Sequence, residues 1–386
     1  MHARSLLGPA DVDDEDLARM VAASLGVSRV ELLDSTAVVA AYDLEALTTA
    51  GRFWVSGTAR HDGGVAPYAF FVKVVQCWSR SPMFTFVPEH LREVAQAGVP
   101  WRSEPLVYGS DLGVRLPPGL SLPRAHAVFD LDELSAAIWL DAVDVDETPW
   151  DQERFGAAAR LLGRLAASPA VRALAGLGRR DVVRGYTGGR LALQVIPALQ
   201  DESLWRHPLV ADAFDDHLRR RLLDAVEALP EFLNELDAMP LGTAHGDACP
   251  RNLLVERGHP NAFVAIDFGF WCEAPLGFDL SQLLLGEVQT GERSAAELGE
   301  LEELCLREYM RGLADEGCEA GLEQVRRAHA LLMLIFTGVS AVPLEHLGIE
   351  PTPELKRLAR ERAAATKFIL DLVDITMPAA SSGRRG

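Results

Sequence analysis

Lysine is almost missing from this 386-residue chain: of its 37 basic side chains only Lys73, Lys356 and Lys367 are not arginine. Positive charge as a whole is scarce, with 56 acidic residues against those 37 and a formal net charge of −19. That shortage excludes a general nucleic-acid binder, which needs a basic face to displace counterions from phosphates. It favours cationic ligands, weakly. The five cysteines, Cys77, Cys249, Cys272, Cys305 and Cys318, are scattered, with no C-x-x-C spacing. They indicate neither a disulfide framework nor a structural zinc site. The longest apolar stretch, Ala330 to Leu344, is shorter than the ~20 residues of a membrane span and reads as a buried helix. Met1 to Pro9 lack the apolar run of a signal peptide, so a cytoplasmic, reduced setting with no membrane partner is expected. No internal repeat and no G-x-G-x-x-G is present.

What is present is an ordinary globular composition, 48% hydrophobic and 24% charged, on a chain long enough for two lobes. Asp14 to Leu25 has the stripe of an amphipathic helix with an acidic start. Short strand-like pieces follow at Arg29 to Leu33, Ala37 to Tyr42, Arg52 to Thr58 and Tyr68 to Gln76, with turn signals such as His61-Asp62-Gly63-Gly64 between them. Two more are read at Arg124 to Phe129 and Ser135 to Leu140. Together they predict an antiparallel sheet built of hairpins.

After Leu140 the chain turns acidic and then takes on a helical period. The expected helices centre on Phe155 to Leu165, Phe214 to Val226, Leu298 to Cys305, Leu322 to Ala341 and Pro353 to Asp374, before a small polar tail from Ala379. The reading is therefore α+β: a smaller N-terminal lobe of antiparallel sheet and helices over residues 1–140 and a larger, mainly helical lobe over 141–386.

Two stretches carry chemistry. In His245-Gly246-Asp247-Ala248-Cys249-Pro250-Arg251-Asn252 an Asp precedes an Asn by five residues, and Ile266-Asp267-Phe268-Gly269 follows a short way on. Moving a phosphoryl group to a hydroxyl needs a proton acceptor, metal ions across the phosphates and cations on the transferred group. Asp247 suits the first task, and the oxygens of Asn252 and Asp267 suit Mg²⁺. A hairpin from Leu253–Glu256 to Ala262–Ile266, turning at Arg257 to Asn261, would return Asp267 towards Asn252. Lys73, the only lysine of the first 355 residues, stands inside the apolar run Phe70 to Val75. A compact ammonium there suits a nucleotide's phosphates. Glu104 is the carboxylate expected to clamp it, with Glu93 as the fallback.

These motifs, with Pro275-Leu276-Gly277-Phe278-Asp279-Leu280, resemble the aminoglycoside phosphotransferase and choline kinase family, small-molecule kinases with a bilobal protein-kinase-like fold. Weaker echoes are Thr48 to Val55 for a phosphate-covering hairpin, Trp101 to Glu104 for the clamp helix and Ile138 to Val143 for the hinge. The resemblance implies Asp247 as catalytic base, Asn252 and Asp267 as magnesium ligands and Lys73 on the phosphates of ATP or GTP, with Glu104 behind it. It puts Thr49 on the covering hairpin and Trp139 and Asp141 at the hinge beside the nucleotide. Asp279 is implied as a brace of the catalytic loop, and His245 as a packed loop-former.

Gly246 stands where protein kinases carry an Arg, and few residues separate Gly269 from Pro275. The acceptor is therefore a small molecule. The acidic chain favours an aminoglycoside or aminosugar; a neutral sugar, a choline-like compound or a macrolide is the alternative. A nucleotide-holding pseudokinase or partner-binding module is the competing class. Cys249 departs from the family pattern, which leaves Arg251 as a substitute phosphate contact.

Overall fold

The computed structural model describes residues 2–41, 46–260 and 262–377. Tyr42, Asn261 and the tail from Ala379 lie outside them. The chain groups into two compact units, Met1–Glu147 with Leu254–Trp271, and Thr148–Leu253 with Cys272–Gly386. The segment that carries Asp267 thus groups with the unit that carries Lys73.

The first unit is built on a sheet of order β1-β3-β4-β5-β8-β7, with β2 paired to β4. Its strands are β1 (His2–Ala3), β2 (Glu31–Leu32), β3 (Ser35–Val39), β4 (Thr49–His61), β5 (Gly64–Gln76), β7 (Ala125–Asp132) and β8 (Ser135–Asp141). β6 (Leu120–Ser121) lies in a separate small sheet. From β3 to β7 each pairing is antiparallel; tight turns make hairpins of β4–β5 and β7–β8, while β5 and β8 pair across a long stretch of chain. The sequence expectation for the β4–β5 hairpin was shorter; pairing continues out to His61 and Gly64 because the turn between them is tight.

Helix α1 (Asp14–Leu25) forms where its apolar stripe was read. Asp13 caps it by accepting the Asp16 N–H, three acids occupy its first turn, and Gly26 ends it at φ 68°. Leu17, Met20 and Val21 bury against one face of the sheet, where Val55, Phe70, Val72 and Trp139 complete a core. Three short helices follow β5: α2 (Arg92–Gly98), α3 (Ser103–Tyr108) and α4 (Leu112–Arg115).

The second unit is mainly helical. Four short helices, α6 (Pro169–Arg172), α7 (Val182–Tyr186), α8 (Ile196–Gln200) and α9 (Pro208–Ala211), follow α5 (Gln152–Ala167) and precede α10 (Asp216–Glu227) and α11 (Leu229–Asp237). Next come β9 (Leu241–Ala244), β10 (Leu253–Val255), β11 (Phe263–Ala265) and β12 (Cys272–Pro275). β12 pairs antiparallel with β9, while β10, β11 and β6 form the small sheet that goes with the first unit. The last helices are α12 (Phe278–Thr290), α13 (Leu298–Asp315), α14 (Leu322–Met333) and α15 (Pro353–Ile375).

α5 and α13 cross at two glycines. A Cβ on Gly163 would sit on the Tyr309 carbonyl, and one on Gly312 on the Arg160 carbonyl, so only glycine permits this approach. The helix expected to run unbroken over Leu322 to Ala341 changes to π geometry at Leu334–Gly338. A second π segment, Thr187–Val195, lies where no element was expected. Among the described residues no helix is long and apolar enough to cross a membrane.

Candidate active site

Lys73 lies in the middle of β5, in register with Arg52 of β4 and Ile138 of β8. Strand alternation puts Phe70 and Val72 into the core shared with α1 and Lys73 on the opposite face. There its Nζ is 2.6 Å from Glu104 Oε2 and 3.0 Å from Asp267 Oδ1. The Lys73 and Glu104 side chains are only 6% and 4% exposed, so water screens their attraction little. Glu93, the fallback, lies on α2, and Glu104 makes the contact. Burial lifts the Glu104 carboxyl to about 7 against the pull of the Lys73 ammonium. Burial would by itself lower the Lys73 pKa, but Glu104 and Asp267 together raise it. The lysine therefore stays charged.

Two features fix the carboxylates. Glu104 and Tyr108 stand one turn apart on α3, and the Tyr108 ring meets Phe268 edge-on at 5.5 Å. Asp267 takes a left-handed conformation, φ 63° and ψ 64°, one of two non-glycine residues at positive φ among those described. Such strain persists where surrounding contacts over-determine a side chain's position. Tyr108 was not foreseen as part of this cluster. Its spacing of four from Glu104 was the available signal.

In the second unit, β9 runs directly into the loop that carries Asp247. Asp279, at the start of α12, is 2% exposed, and its carboxylate accepts the N–H groups of His245 (2.8 Å) and Gly246 (2.9 Å). Burial pushes the Asp279 carboxyl up to about 6 against those two donors. Gly246 turns at φ 90°, a conformation that disfavours any side chain, including the arginine of protein kinases. His245, 1% exposed, accepts the Asp247 N–H at its Nδ1, 3.3 Å away. Asn252 folds back so that its Nδ2 donates to the Asp247 carbonyl at 2.9 Å and to Asp247 Oδ2 at 3.0 Å. The amide thereby fixes the carboxylate's rotamer, with Asp247 itself partly exposed.

The Cys249 side chain fills the space that a Cβ on Gly286 would need, so it locks the loop onto α12. Arg251 is engaged in an ion pair with Glu292, which takes up the guanidinium considered for a phosphate contact.

Trp139, Asp141 and Thr49 were also expected beside the nucleotide. Trp139 is 0% exposed in the core beside α1, and its Nε1 donates to the Ala10 carbonyl. Its backbone lies in register with Val72 and Ala127, so the hinge expected to begin at Ile138 is strand through Asp141. Asp141 accepts hydrogen bonds from Ser24 of α1 (2.9 Å) and pairs with His126 Nε2 (2.7 Å). It ties α1 to the end of the sheet. Thr49 opens β4 opposite Val75, next to an irregularity at Gly51. Among the described residues no group of three or more His, Cys, Asp or Glu is arranged to hold a metal ion.

Residues 110–315, more than half of the chain, match the family model described as the phosphotransferase enzyme family, APH. The chain belongs to the phosphotransferase enzyme family. It is a small-molecule kinase. Among solved structures, this phosphotransferase is similar to an aminoglycoside phosphotransferase from Alicyclobacillus acidocaldarius at 15% identity, covering 88% of this chain and 92% of that one with a TM-score of 0.48. It is also similar to a spectinomycin phosphotransferase in complex with ADP and spectinomycin (10% identity, 95% and 98% covered, TM-score 0.45). An amicoumacin kinase in complex with AMP-PNP and Ca²⁺ is a third (14% identity, 93% and 94% covered, TM-score 0.41). A comparison with curated proteins finds no match.

Proposed function

We propose that this phosphotransferase moves the γ-phosphoryl group of ATP or GTP, with Mg²⁺, onto a hydroxyl of a small molecule, and that Asp247 accepts the hydroxyl proton. The observation that carries the reading is the double hold on Asp247. Asn252 Nδ2 binds both its carbonyl and its carboxylate, while Asp279 anchors the two preceding amides. A proton acceptor in phosphoryl transfer works by position, and this loop spends a buried carboxylate on holding one in place.

In the first unit, Lys73 is the cation for the nucleotide phosphates, kept charged and aimed by Glu104. The donor chemistry suits magnesium, which keeps several waters and takes one or two protein oxygens besides the phosphates. Asp267 offers a carboxylate and Asn252 an amide oxygen for that purpose. When bound, the metal would offset charge on the phosphates. The chain's own residues orient the hydroxyl, hold the lysine and receive the proton.

The test is transfer of the labelled terminal phosphate from ATP or GTP by the purified full chain, with and without magnesium, to a panel of hydroxylated acceptors. Transfer by wild type and its loss in Asp247→Asn are expected. Equal transfer by that variant would remove Asp247 from its role.

A further inference from the structure

A second cation stands directly across the sheet from Lys73. Arg52 of β4 and Lys73 of β5 are partners in the antiparallel ladder, and strand pleating puts such partners on one face. Val55 belongs to the core shared with α1 and Phe53 packs against it, so Arg52 projects from the opposite face, where Lys73 meets Glu104 and Asp267. Burial raises the Glu104 carboxyl there, and Arg52 joins Lys73 among the cations that pull against it.

Two like charges directly opposite each other on one face of a sheet repel. Lys73 is buried between its carboxylates, whereas Arg52 is only partly buried. An anion laid across this face relieves the repulsion and pairs with both.

The start of β4 lacks the backbone device that commonly holds such an anion. The chain has no G-x-G-x-x-G, and Gly51 is the one glycine from Thr48 to Val55, so the hairpin cannot bare a run of amides to a phosphate. What it has instead is an irregularity between Thr49 and Gly51, immediately before Arg52. Irregularities of this kind re-aim a side chain and recur beside active sites. Arg52 Nη2 lies 3.5 Å from Thr49 Oγ1, which places the guanidinium beside that irregularity. An arginine carries five N–H donors in a planar fork that matches two phosphate oxygens at once, and it keeps its charge. Lys73 offers a point charge only.

We infer that Arg52 is a second phosphate-binding residue, which shares the phosphate chain of the nucleotide with Lys73 and stands in for the glycine-rich loop that this chain lacks. This rests on the phosphotransfer reading above and adds to it a residue of the opposite strand.

The experiment is titration calorimetry of the full chain with ADP and GDP in the presence of magnesium, and saturation-transfer NMR with adenosine and guanosine. Labelled-phosphate transfer is measured on the same proteins. Arg52→Gln removes the charge and keeps most of the length, and Arg52→Lys keeps the charge. Arg60→Gln removes one charge from the same strand, where Arg60 is exposed and pairs with Glu31, and so controls for net charge. Wild type should bind ADP or GDP, and Arg52→Gln should raise that Kd by about tenfold or more while the thermal midpoint and nucleoside binding change little. Arg52→Lys should recover most of the loss, and Arg60→Gln should match wild type. Unchanged diphosphate affinity in Arg52→Gln, equal losses for diphosphate and nucleoside, an equal loss in Arg60→Gln, or no binding of either diphosphate by wild type overturns the inference. Diphosphate binding that depends on Arg52, with no transfer to any acceptor, would leave Arg52 in place and sink the phosphotransfer reading instead.

Discussion

Lys73 Nζ and Glu104 Oε2 lie 2.6 Å apart with both side chains buried, and a second carboxylate, Asp267 Oδ1, completes the lysine's surroundings at 3.0 Å. Removing the cation alone strands two carboxylates. Lys73→Met should therefore lower stability by ~3–5 kcal/mol, the cost of breaking a buried pair. The double variant Lys73→Met/Glu104→Leu should recover much of that loss while transfer stays down by about 10²-fold or more. Urea midpoints and initial rates on the three proteins separate the two effects. Full activity in the double variant would detach the pair from the reaction.

Asp247 and Asp279 make opposite demands on a substitution. Asp247 is partly exposed and positioned by others, so Asp247→Asn should leave the thermal midpoint near wild type and cut kcat by about 10²–10⁴-fold. Asp279 is buried under two backbone donors, and Asp279→Asn has a single acceptor oxygen for both. It should cost ~1–3 kcal/mol of stability as well as rate. Scanning calorimetry with single-turnover kinetics checks the contrast; equal melting losses would contradict it.

The acid response should be divided between two buried groups near the start of α12. His329 on α14 is 0% exposed, and neither ring nitrogen has a hydrogen-bond partner of good geometry. Burial lowers its pKa from 6.5 to about 4, against a weaker pull from the Gly277 backbone. The unfolded chain then binds the extra proton, so this group's contribution is whole above pH 6.5 and lost as pH falls towards 4. Asp279 acts the other way: its pKa is raised from 3.8 to about 6, so its contribution is present below 3.8 and lost as pH rises through 6. Removing the histidine with His329→Leu should therefore shrink the wild-type advantage at acid pH. On the conversion of pKa shift to free energy, the stability difference between the two proteins should change by ~3 kcal/mol across that window. Parallel stability curves from pH 7 to pH 4 would refute the assignment.

The α5–α13 crossing should be intolerant of a single methyl. Gly163→Ala and Gly312→Ala each push a Cβ into a carbonyl of the partner helix, and overpacking of this kind costs ~1–3 kcal/mol. Gly299→Ala, with nothing within 4 Å of its added carbon, is the control and should be neutral or slightly stabilising. Denaturant midpoints of the three variants give the answer.

Much of the fold was legible because it rests on local rules. The helix from Asp14 to Leu25, the β4–β5 hairpin and the long helix from Pro353 each follow from apolar period, caps and turn residues read within a few positions. The short strands β6, β9 and β12 were not legible, whereas the equally short β10 and β11 were, because a turn joins them directly. The first three are held by partners distant in the chain and carry too few residues to display a period. The π segments escaped for different reasons: Leu334–Gly338 continues the apolar period of an ordinary helix, and Thr187–Val195 has Gly188-Gly189, poor helix formers, at its start.

The site divides along the same line. By itself the sequence determined the chemical vocabulary: one lysine in a strand, an Asp and Asn five apart, a second Asp before Phe-Gly, and a glycine where an arginine would receive a phosphate. Those are covalent facts, fixed before folding. Which carboxylate meets the lysine, that Trp139 turns into the core and not towards a ligand, and that Arg251 is taken by Glu292 were decided only by tertiary structure. Each depends on residues far apart in the chain arriving at contact distance, and contact distance sets whether a charge or a ring counts for anything.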